Sequence, residues 1–524
     1  MPRPCGLYAD LPEDELRTAL ARLVASELVF QRGTPPDAVY TFKHALVQDA
    51  AHRSLLRSTR QQLHTQIAAA LEAHSPELMD SQPELFAQHY AEAGLVEKSV
   101  AYWGKAGRRS AARSALAEAA TQFQKALKQV TLLPDSPERK RQELEFHSAL
   151  GAVLQSIKGY AAPETGQVYA HARELWEQLG FPAEFLQIPY GQSRYHLGRG
   201  ELDLMRRLDE DLLRVSRQRN DSAGLVLGHL SSGRNLMLAS KFALSQSHLE
   251  QGIALYDPIS HHELSHQVGN HPHVELLSYL GIALFCLSSP ARALTRGNAA
   301  IAEARRLAHP PSLAFSLSLA TVLLSLAGDD EALDEWAIQL VAVAAEQGFP
   351  VYGAVGIVHR GWIAVKNGDL ADGMSLLRDG AAAYRATGTE LWTPHFIALL
   401  ARACETAGQI EEALTLLDDA LRIVERTGLR WLEAELTRHK GQLLLRQGHS
   451  EAAKALYCKA LNIAREQEAK LWELRAAVSL ARLRRDQGRR AEAHDLLAPV
   501  YGWFTEGFGT PDLKEAKALL DELA

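Results

Sequence analysis

A short histidine-rich stretch carries the clearest candidate for chemistry in this 524-residue chain. The residues His262-Glu263-Leu264-Ser265-His266 read H-E-x-x-H, and Gly269 follows them. On a regular helix this spacing places both imidazoles on one face, where they bind zinc, with the glutamate beside the metal-bound water. The stretch therefore raises the hypothesis of a zinc metalloprotease.

The residues around this motif argue against a catalytic zinc site. Pro258, Gly269 and Pro272 give the flanks the composition of a loop. The longer pattern H-E-x-x-H-x-x-G-x-x-H needs a histidine at position 272, and His271 and His273 miss it by one residue on either side. The short pattern is also weak in a chain with 21 histidines. We interpret the stretch as a solvated connector between repeats, with an adventitious metal-binding loop and a protease as alternatives.

Other catalytic motifs are not found in the sequence. It contains no G-x-x-x-x-G-K-[S/T] phosphate loop, no G-x-S-x-G elbow and no G-x-G-x-x-G fingerprint. We therefore expect no enzyme activity and assign no catalytic, cofactor-binding or metal-binding residue. The four cysteines are far apart and form no C-x-x-C pair, which fits a reducing cytoplasm. The net charge of −7, with no basic block, argues against nucleic acid as a partner.

The second half of the chain contains a regular repeat, so any functional site there must be built on the repeat. Turn glycines recur every 40 residues, and they are Gly328, Gly368, Gly408, Gly448 and Gly488. An apolar helix of three to four turns runs into each glycine, which suits the left-handed conformation that ends a helix. Upstream, Gly200, Ser240 and Ser288 continue the series, with a spacing of 48 residues between the two serines. The histidine-rich stretch lies in that insertion.

The segment after each glycine has the apolar stripe of an amphipathic helix. In residues 409–428 the stripe consists of Ala413, Leu416, Leu417, Ala420, Leu421 and Val424. A single hairpin cannot bury both of its apolar faces, so the hairpins are expected to stack into a solenoid. Aromatic residues near the start of the first helices are interpreted as packing between hairpins rather than as a ligand platform. They are Tyr352, Trp392, Trp431 and Trp472.

One uncharged segment, residues 307–328, is about long enough to span a bilayer. Its prolines and serines and its place in the repeat favour a buried solenoid helix instead, so we expect no membrane contact. Residues 1–75 have a different pattern: a helix, two short strands around residues 33–37, and a return to helix. This order is typical of the end of a winged-helix domain. Its first helix has little basic character for a DNA groove.

Several segments resemble one bacterial family. They are "YTFKHALVQDAAHRSLL", "LPDSPERKRQELEFHSALGAVL", "ELTRHKGQLLLRQG" and "VYGWFTEGFGTPDLKEAKALLDEL". They are similar to the region after the ATPase module in class III adenylate/guanylate cyclase–STAND ATPase fusion proteins, which implies a winged-helix tail followed by tetratricopeptide-like repeats. The segment "GNHPHVELLSYL" is similar to a loop and helix of that family, which implies a structural role for His271.

The chain departs from that family in its catalytic parts. The metal-binding aspartates of the cyclase, the ATPase phosphate loop and the Walker B motif are absent, so no catalytic residue can be carried over. We interpret the chain as a truncated member, a split partner or a fragment. The expected domains are a winged-helix-like remnant (1–75), connecting hairpins (76–140), a repeat solenoid (141–510) and a capping helix (511–524).

The predicted fold is all-α: a right-handed α-solenoid of tetratricopeptide-like hairpins of about 40 residues behind a remnant with a small β-hairpin. The predicted function is a non-catalytic regulatory module, the sensor or scaffold of a cyclase–ATPase signalling protein. It would bind a protein, a peptide or a small effector, including a cyclase or ATPase partner. The alternative is the ligand-sensing part of a STAND-type transcriptional activator. The remote alternative is the metalloprotease.

Overall fold

The structure is a computed structural model that describes residues 12–34, 38–261, 264 and 268–524. These residues form 26 α-helices and one two-stranded sheet. They divide into two compact units, unit 1 (Met1–Phe146) and unit 2 (His147–Ala524). Most residues of the zinc-protease motif, His262, Glu263, Ser265 and His266, lie outside the described residues. The predicted all-α repeat fold with a small hairpin near the N-terminus is confirmed.

Unit 1 begins with the helix–hairpin–helix order predicted from the sequence. Its elements are α1 (Glu13–Ala25), β1 (Val29–Arg32), β2 (Val39–Phe42), α2 (Ala45–Ser54), α3 (Arg57–His74), α4 (Leu78–Ser81), α5 (Pro83–Ala93), α6 (Val96–Ala112), α7 (Leu116–Val130) and the first part of α8 (Pro137–Lys158). The strands β1 and β2 are antiparallel, with Val29 opposite Phe42. The helix expected after the hairpin is broken in two, because Leu55 and Leu56 are both extended.

The core of unit 1 forms where α3 and α5 pack together. Ala68 and Leu71 of α3 meet Phe86 and Tyr90 of α5, and all four are buried. Tyr102 of α6 stacks on Phe86 with ring centroids 5.6 Å apart. These apolar positions follow helical spacing, so each helix turns one face to the other.

Unit 2 consists of stacked helical hairpins. After the second part of α8, its helices are α9 (Pro163–Gln178), α10 (Gln187–Gly198), α11 (Leu202–Arg219), α12 (Ser222–Leu238), α13 (Phe242–Leu255), α14 (Pro272–Cys286), α15 (Pro290–Arg306), α16 (Pro310–Ala327), α17 (Asp330–Gln347), α18 (Pro350–Lys366), α19 (Leu370–Ala386), α20 (Thr393–Thr406), α21 (Ile410–Thr427), α22 (Glu433–Arg446), α23 (Ser450–Glu466), α24 (Lys470–Asp486), α25 (Arg490–Tyr501) and α26 (Pro511–Leu523). The final helix α26 packs against α24 and α25.

The turn glycines have the backbone conformation predicted for them. Gly328 and Gly408 have φ values of 72° and 77°, in the left-handed region that glycine adopts without strain. In the earlier repeats Ser240 and Ser288 occupy the same place with φ values of 64° and 91°. The turn geometry is therefore kept even where a side chain makes it less favourable.

The first helix of each hairpin lies on the inner side of the solenoid. These even-numbered helices, α10 to α18, each contact the next even-numbered helix as well as their own hairpin partner. Among the described residues, one helix is long and apolar enough to cross a membrane, and it is the inner helix α16. Within the repeats, 89% of this segment is buried. Its place as a solenoid helix agrees with the repeat spacing.

The hairpins wind tightly enough for remote repeats to touch. The hydroxyls of Tyr160 and Tyr352, 192 residues apart, lie 2.9 Å from each other. Arg475 of α24 donates to the carbonyl of Leu326 at the end of α16, 149 residues earlier, at 2.6 Å. Repeats that are remote in sequence therefore contact one another on the inner side of unit 2.

The flanks of the histidine-rich stretch differ from the solvated connector predicted from composition. His261, Asn270 and His271 are each only 2% exposed. His271 precedes α14, its backbone N–H donates to Ser312 Oγ at 2.8 Å, and its ring bonds Tyr256 at 3.0 Å. The insertion is thus packed into the repeat array at both ends. Sequence composition did not reveal this, because the partners come from neighbouring hairpins.

Candidate ligand-binding chamber

A chamber of about 510 Å³ lies inside the C-terminal half of unit 2. The inner helices α18, α20, α22, α24 and α26 line it, together with the end of α16. Because hairpins that are remote in sequence meet here, side chains from seven helices, including Tyr457 of α23, face the same space. The chamber is small enough to contact a ligand from several sides.

Positive charge exceeds negative charge in the wall of the chamber. Six basic residues line it: Lys366, Arg402, Arg438, Arg475, Arg482 and Arg485. Four carboxylates oppose them: Glu435, Asp486, Asp512 and Glu515. The difference is +2, in a chain whose net charge is −7. Lys366 also pairs with Asp330 at 3.1 Å and Arg485 with Glu522 at 2.6 Å, so two carboxylates outside the lining offset this difference.

Four of the five arginines of the chamber pair with carboxylates, and two of these, Arg482 and Arg485, pair with Glu515 and Asp486. Arg438 binds Glu435 through two hydrogen bonds of 2.8 Å, and Arg475 binds Asp512 through bonds of 2.7 and 2.8 Å. Burial alone would raise the pKa of Glu435, but the charges of Arg438, Arg475 and Arg402 lower it to about 2. Glu435 is therefore ionised at neutral pH and neutralises part of the wall.

Arg402 differs from these arginines because no ion pair or hydrogen bond joins its side chain to any described residue of the protein. Its guanidinium carbon lies 4.8 Å from the centroid of the Trp362 ring. The surrounding protein and the charges of Arg475 and Arg438 lower the pKa of Arg402, against the opposing effect of Glu435. An arginine remains charged in proteins. Its donors are thus available to a ligand.

A comparison of equivalent positions in the repeats shows that, among the basic residues there, Arg402 is the one without a carboxylate partner in the described part of the chain. Arg194, Arg234, Arg402 and Arg482 all stand six residues before the turn residue of their hairpin. The first two are buried near Glu275, with N–O distances of 3.1 and 3.8 Å, and Arg482 pairs with Glu515 at 2.5 Å. In the middle repeats the same position holds Ile282, Val322 and Trp362. Arg402 is basic like the other three arginines, but no carboxylate pairs with it among the described residues.

The sequence analysis assigned no site residue, and it missed these arginines although a signal exists. Lys366, Arg402, Arg438, Arg475 and Asp512 follow one another at intervals of 36, 36, 37 and 37 residues. The intervals are shorter than the 40-residue spacing of the turns. From each inner helix to the next, the charged residue therefore lies about one helical turn closer to the N-terminus of its helix. A search for a second period, shorter than 40 residues, is needed to detect this pattern.

A larger groove of about 1160 Å³ lies elsewhere in unit 2, beside α11, α12 and the end of α21. Its ten lining charges balance. They are Arg199, Arg206, Arg217, Lys241 and Arg426 against Glu201, Asp203, Asp209, Glu210 and Glu425. Two of its arginines are already paired, Arg199 with Glu201 at 2.9 Å and Arg206 with Glu210 at 3.0 Å. The groove therefore offers no charge preference, and the chamber is the stronger candidate.

Comparison with known proteins agrees with the repeat fold. Residues 394–466, which cover α20 to α23, match the family described as tetratricopeptide repeat. Unit 2 therefore carries a tetratricopeptide-like repeat region. A Rap protein, solved in complex with competence and sporulation factor, superposes with a TM-score of 0.52 at 12% sequence identity, over 71% of this chain and 99% of that chain. At this identity the likeness concerns the fold alone.

A relative of similar sequence is an uncharacterized protein of Rhizobium meliloti (strain 1021). It is 25% identical over 481 residues, which are 91% of this chain and 47% of that protein. The chain thus spans about half the length of the curated relative it matches.

Proposed function

We propose that unit 2 binds a protein or peptide ligand and that the chamber accepts an acidic segment of it. The observation that carries the proposal is Arg402, a charged guanidinium without a carboxylate partner among the described residues, in a wall whose other basic residues are paired. Stacking repeats commonly present such inner surfaces to extended ligands. The Rap protein of the same fold was solved with a bound factor, so this architecture is compatible with a ligand.

The chemistry of Arg402 favours a carboxylate. A guanidinium can donate two parallel hydrogen bonds to a carboxylate, and such charged bonds are stronger than neutral ones. The ring of Trp362 supports one face of the guanidinium and limits its movement. The chamber is partly open and Arg402 is exposed to solvent in the free chain, so water screens part of this attraction.

The size of the chamber limits what can enter. Its volume of about 510 Å³ is in the usual range for small-ligand pockets. The chamber therefore accommodates one or a few side chains of a peptide, or a chain terminus, and not a folded domain. The remaining contacts would come from the surface around its opening.

Affinity selection from a random peptide library tests this proposal. The full chain is immobilised, and bound peptides are identified by mass spectrometry. We expect selected peptides to be enriched in Asp and Glu, and the enrichment to disappear with Arg402→Gln. Arg422→Gln is the matched control, because Arg422 lies on the outer helix α21 and pairs with Asp419.

Two results of this selection would contradict the proposal. One is selected peptides with no charge bias. The other is the same acidic bias in both the Arg402→Gln and the Arg422→Gln variants, which would place the acidic ligand elsewhere on the chain.

We further propose that the chain is the non-catalytic regulatory region of a longer cytoplasmic signalling protein of the cyclase–ATPase kind. The segments that resemble that family and the greater length of the relative support this. We expect the purified chain alone to hydrolyse no ATP and to form no cyclic nucleotide, and either activity would contradict the proposal. Ligand-dependent binding to DNA would favour the transcriptional activator instead.

A further inference from the structure

Three helices of unit 1 bring together a group of imidazoles and a carboxylate that the repeat function does not use. His52 lies on α2, His64 on α3, and His89 and Glu92 on α5. A nitrogen of His52, a nitrogen of His64 and a carboxylate oxygen of Glu92 all lie within 4.8 Å of one another. All four side chains are half-buried, so an ion could reach them from solvent.

The distances between the nitrogens match those of ligands on one metal ion. His52 Nε2 and His64 Nε2 are 3.2 Å apart. Two nitrogens bound to a tetrahedral zinc ion at about 2.05 Å lie roughly 3.3 Å from each other. The pair therefore needs little movement to share an ion.

His89 contacts the ring nitrogen of His64 that does not face His52, so it can fix the orientation of the His64 ring. His64 Nδ1 and His89 Nδ1 are 2.9 Å apart. When His64 Nδ1–H donates to His89 Nδ1, His64 Nε2 keeps its lone pair and lies 3.2 Å from His52 Nε2. Metal-binding histidines are usually oriented through their second nitrogen in this way.

We propose that His52, His64 and Glu92 form a binding site for a divalent transition-metal ion of the zinc class, with His89 as the positioning residue. Two imidazoles and one carboxylate leave a fourth position for water. This site shares no residue with the H-E-x-x-H motif of the sequence or with the chamber in unit 2.

A metal ion here would fasten α2 to the rest of unit 1. The core formed by α3 and α5 contains no residue of α2 among the described residues. Leu46 of α2 and Leu56 after it are 81% and 76% exposed. Apolar packing therefore holds α2 weakly, and a bond from His52 to a shared ion would link three helices.

Zinc titration of the full chain tests the site. The affinity tag is removed, the protein is stripped with EDTA and dialysed, and zinc affinity is measured by competition with a chromogenic chelator. We expect one tightly bound zinc per chain, lost with His64→Ala and with Glu92→Gln. The second variant keeps the size of the side chain, so it remains informative if His64→Ala does not fold. His89→Phe is expected to weaken binding 10- to 100-fold.

Two controls separate this site from other histidines. His74→Ala changes another histidine of α3 and should leave zinc binding unchanged. The double variant His262→Ala/His266→Ala removes the H-E-x-x-H pair and should also leave it unchanged. A thermal melt gives a second readout, with zinc raising the melting temperature of the wild type and of His74→Ala but not of Glu92→Gln.

Three outcomes would overturn the proposal. The first is a wild-type chain that takes up no stoichiometric zinc, which would leave the three imidazoles joined by hydrogen bonds alone. The second is undiminished affinity in Glu92→Gln and His64→Ala. The third is loss of zinc only in the His262→Ala/His266→Ala variant.

Discussion

The guanidinium of Arg402 lies over the ring of Trp362, 4.8 Å from its centroid, and forms no ion pair with any described residue. Arg194, at the equivalent place in an earlier repeat, is buried and lies 3.1 Å from the carboxylate of Glu275. The two arginines occupy the same position in the hairpin, and only their surroundings differ. Arg194 therefore has a structural role, whereas the donors of Arg402 are not used by a carboxylate of the described residues.

The first prediction compares these two arginines in unfolding experiments. Arg194→Met leaves Glu275 buried, although Tyr190 and Asn270 still donate to it at 3.0 and 2.8 Å. We expect the free energy of unfolding to fall by about 3–5 kcal/mol. Arg402→Met breaks no ion pair and should change the free energy by less than about 0.5 kcal/mol. Urea unfolding followed by circular dichroism measures both, and equal losses would show that Arg402 has a structural role.

The second prediction concerns the second arginine of the chamber. Asp512→Asn removes one negative charge beside Arg475, which keeps its contacts with the Leu326 carbonyl at 2.6 Å and with Glu435 at 3.6 Å, so the wall of the chamber becomes more positive by one charge. We expect an acidic peptide selected on the wild-type chain to bind up to about tenfold more tightly, with a steeper dependence on salt concentration. Fluorescence anisotropy at several salt concentrations measures this. Unchanged affinity would place the peptide away from Arg475. The double variant with Arg402→Gln tests whether the two arginines act together.

The third prediction uses two glycines of α18. A Cβ on Gly361 would lie 2.8 Å from the backbone nitrogen of Leu377 and 2.9 Å from the carbonyl oxygen of Gly373, because α18 and α19 approach closely there. We expect Gly361→Ala to lower the free energy of unfolding by about 1–3 kcal/mol. On the same helix a Cβ on Gly353 meets only the Cβ of Ala344, at 3.6 Å. Gly353→Ala should therefore raise the free energy of unfolding by about 0.5–1 kcal/mol. Opposite signs in thermal or urea unfolding confirm the close contact, and equal effects exclude it.

The fourth prediction is a pH dependence of stability from His359. This side chain is fully buried, and burial lowers its pKa to about 4 even though its Nδ1 bonds the carbonyl of Val355. The unfolded chain binds a proton near pH 6.5 and the folded chain does not until about pH 4. Stability is therefore full above pH 6.5 and falls by up to about 1.4 kcal/mol per pH unit down to pH 4.

Replacing His359 should weaken this dependence. His359→Phe keeps a ring in the core and removes the titrating group, along with a ring nitrogen that has no partner. We expect a flatter stability profile between pH 6.5 and 4, measured by urea unfolding at each pH. His449→Phe, at an exposed turn, is the matched control. If both variants kept the slope of the wild type, other groups would cause it.

The repeat could be predicted from the sequence because its causes are local. Gly328, Gly408 and the other turn glycines end helices through their own backbone conformation, and the apolar stripes have helical spacing. The aromatic residues interpreted as packing between hairpins, Trp431 and Trp472 among them, are buried. Trp472 donates to the carbonyl of Trp431 at 3.0 Å across neighbouring hairpins.

The burial around the histidine-rich insertion could not be predicted in this way. Composition indicated a solvated loop, yet His271 is held by Tyr256 and Ser312. Those partners lie 15 and 41 residues away, and nothing in the local sequence selects them. A polar residue in a loop is buried only when tertiary contacts satisfy its hydrogen bonds.

By itself, the sequence determined that paired helices recur every 40 residues and must stack, because each hairpin leaves apolar faces that a neighbour has to cover. Only the tertiary structure decided which charges are neutralised. Arg194 and Arg402 look alike in sequence, but the winding of remote hairpins brings a carboxylate to the first and leaves the second in a partly open chamber without one. Whether two charges pair depends on distances across the folded chain, which local spacing does not set.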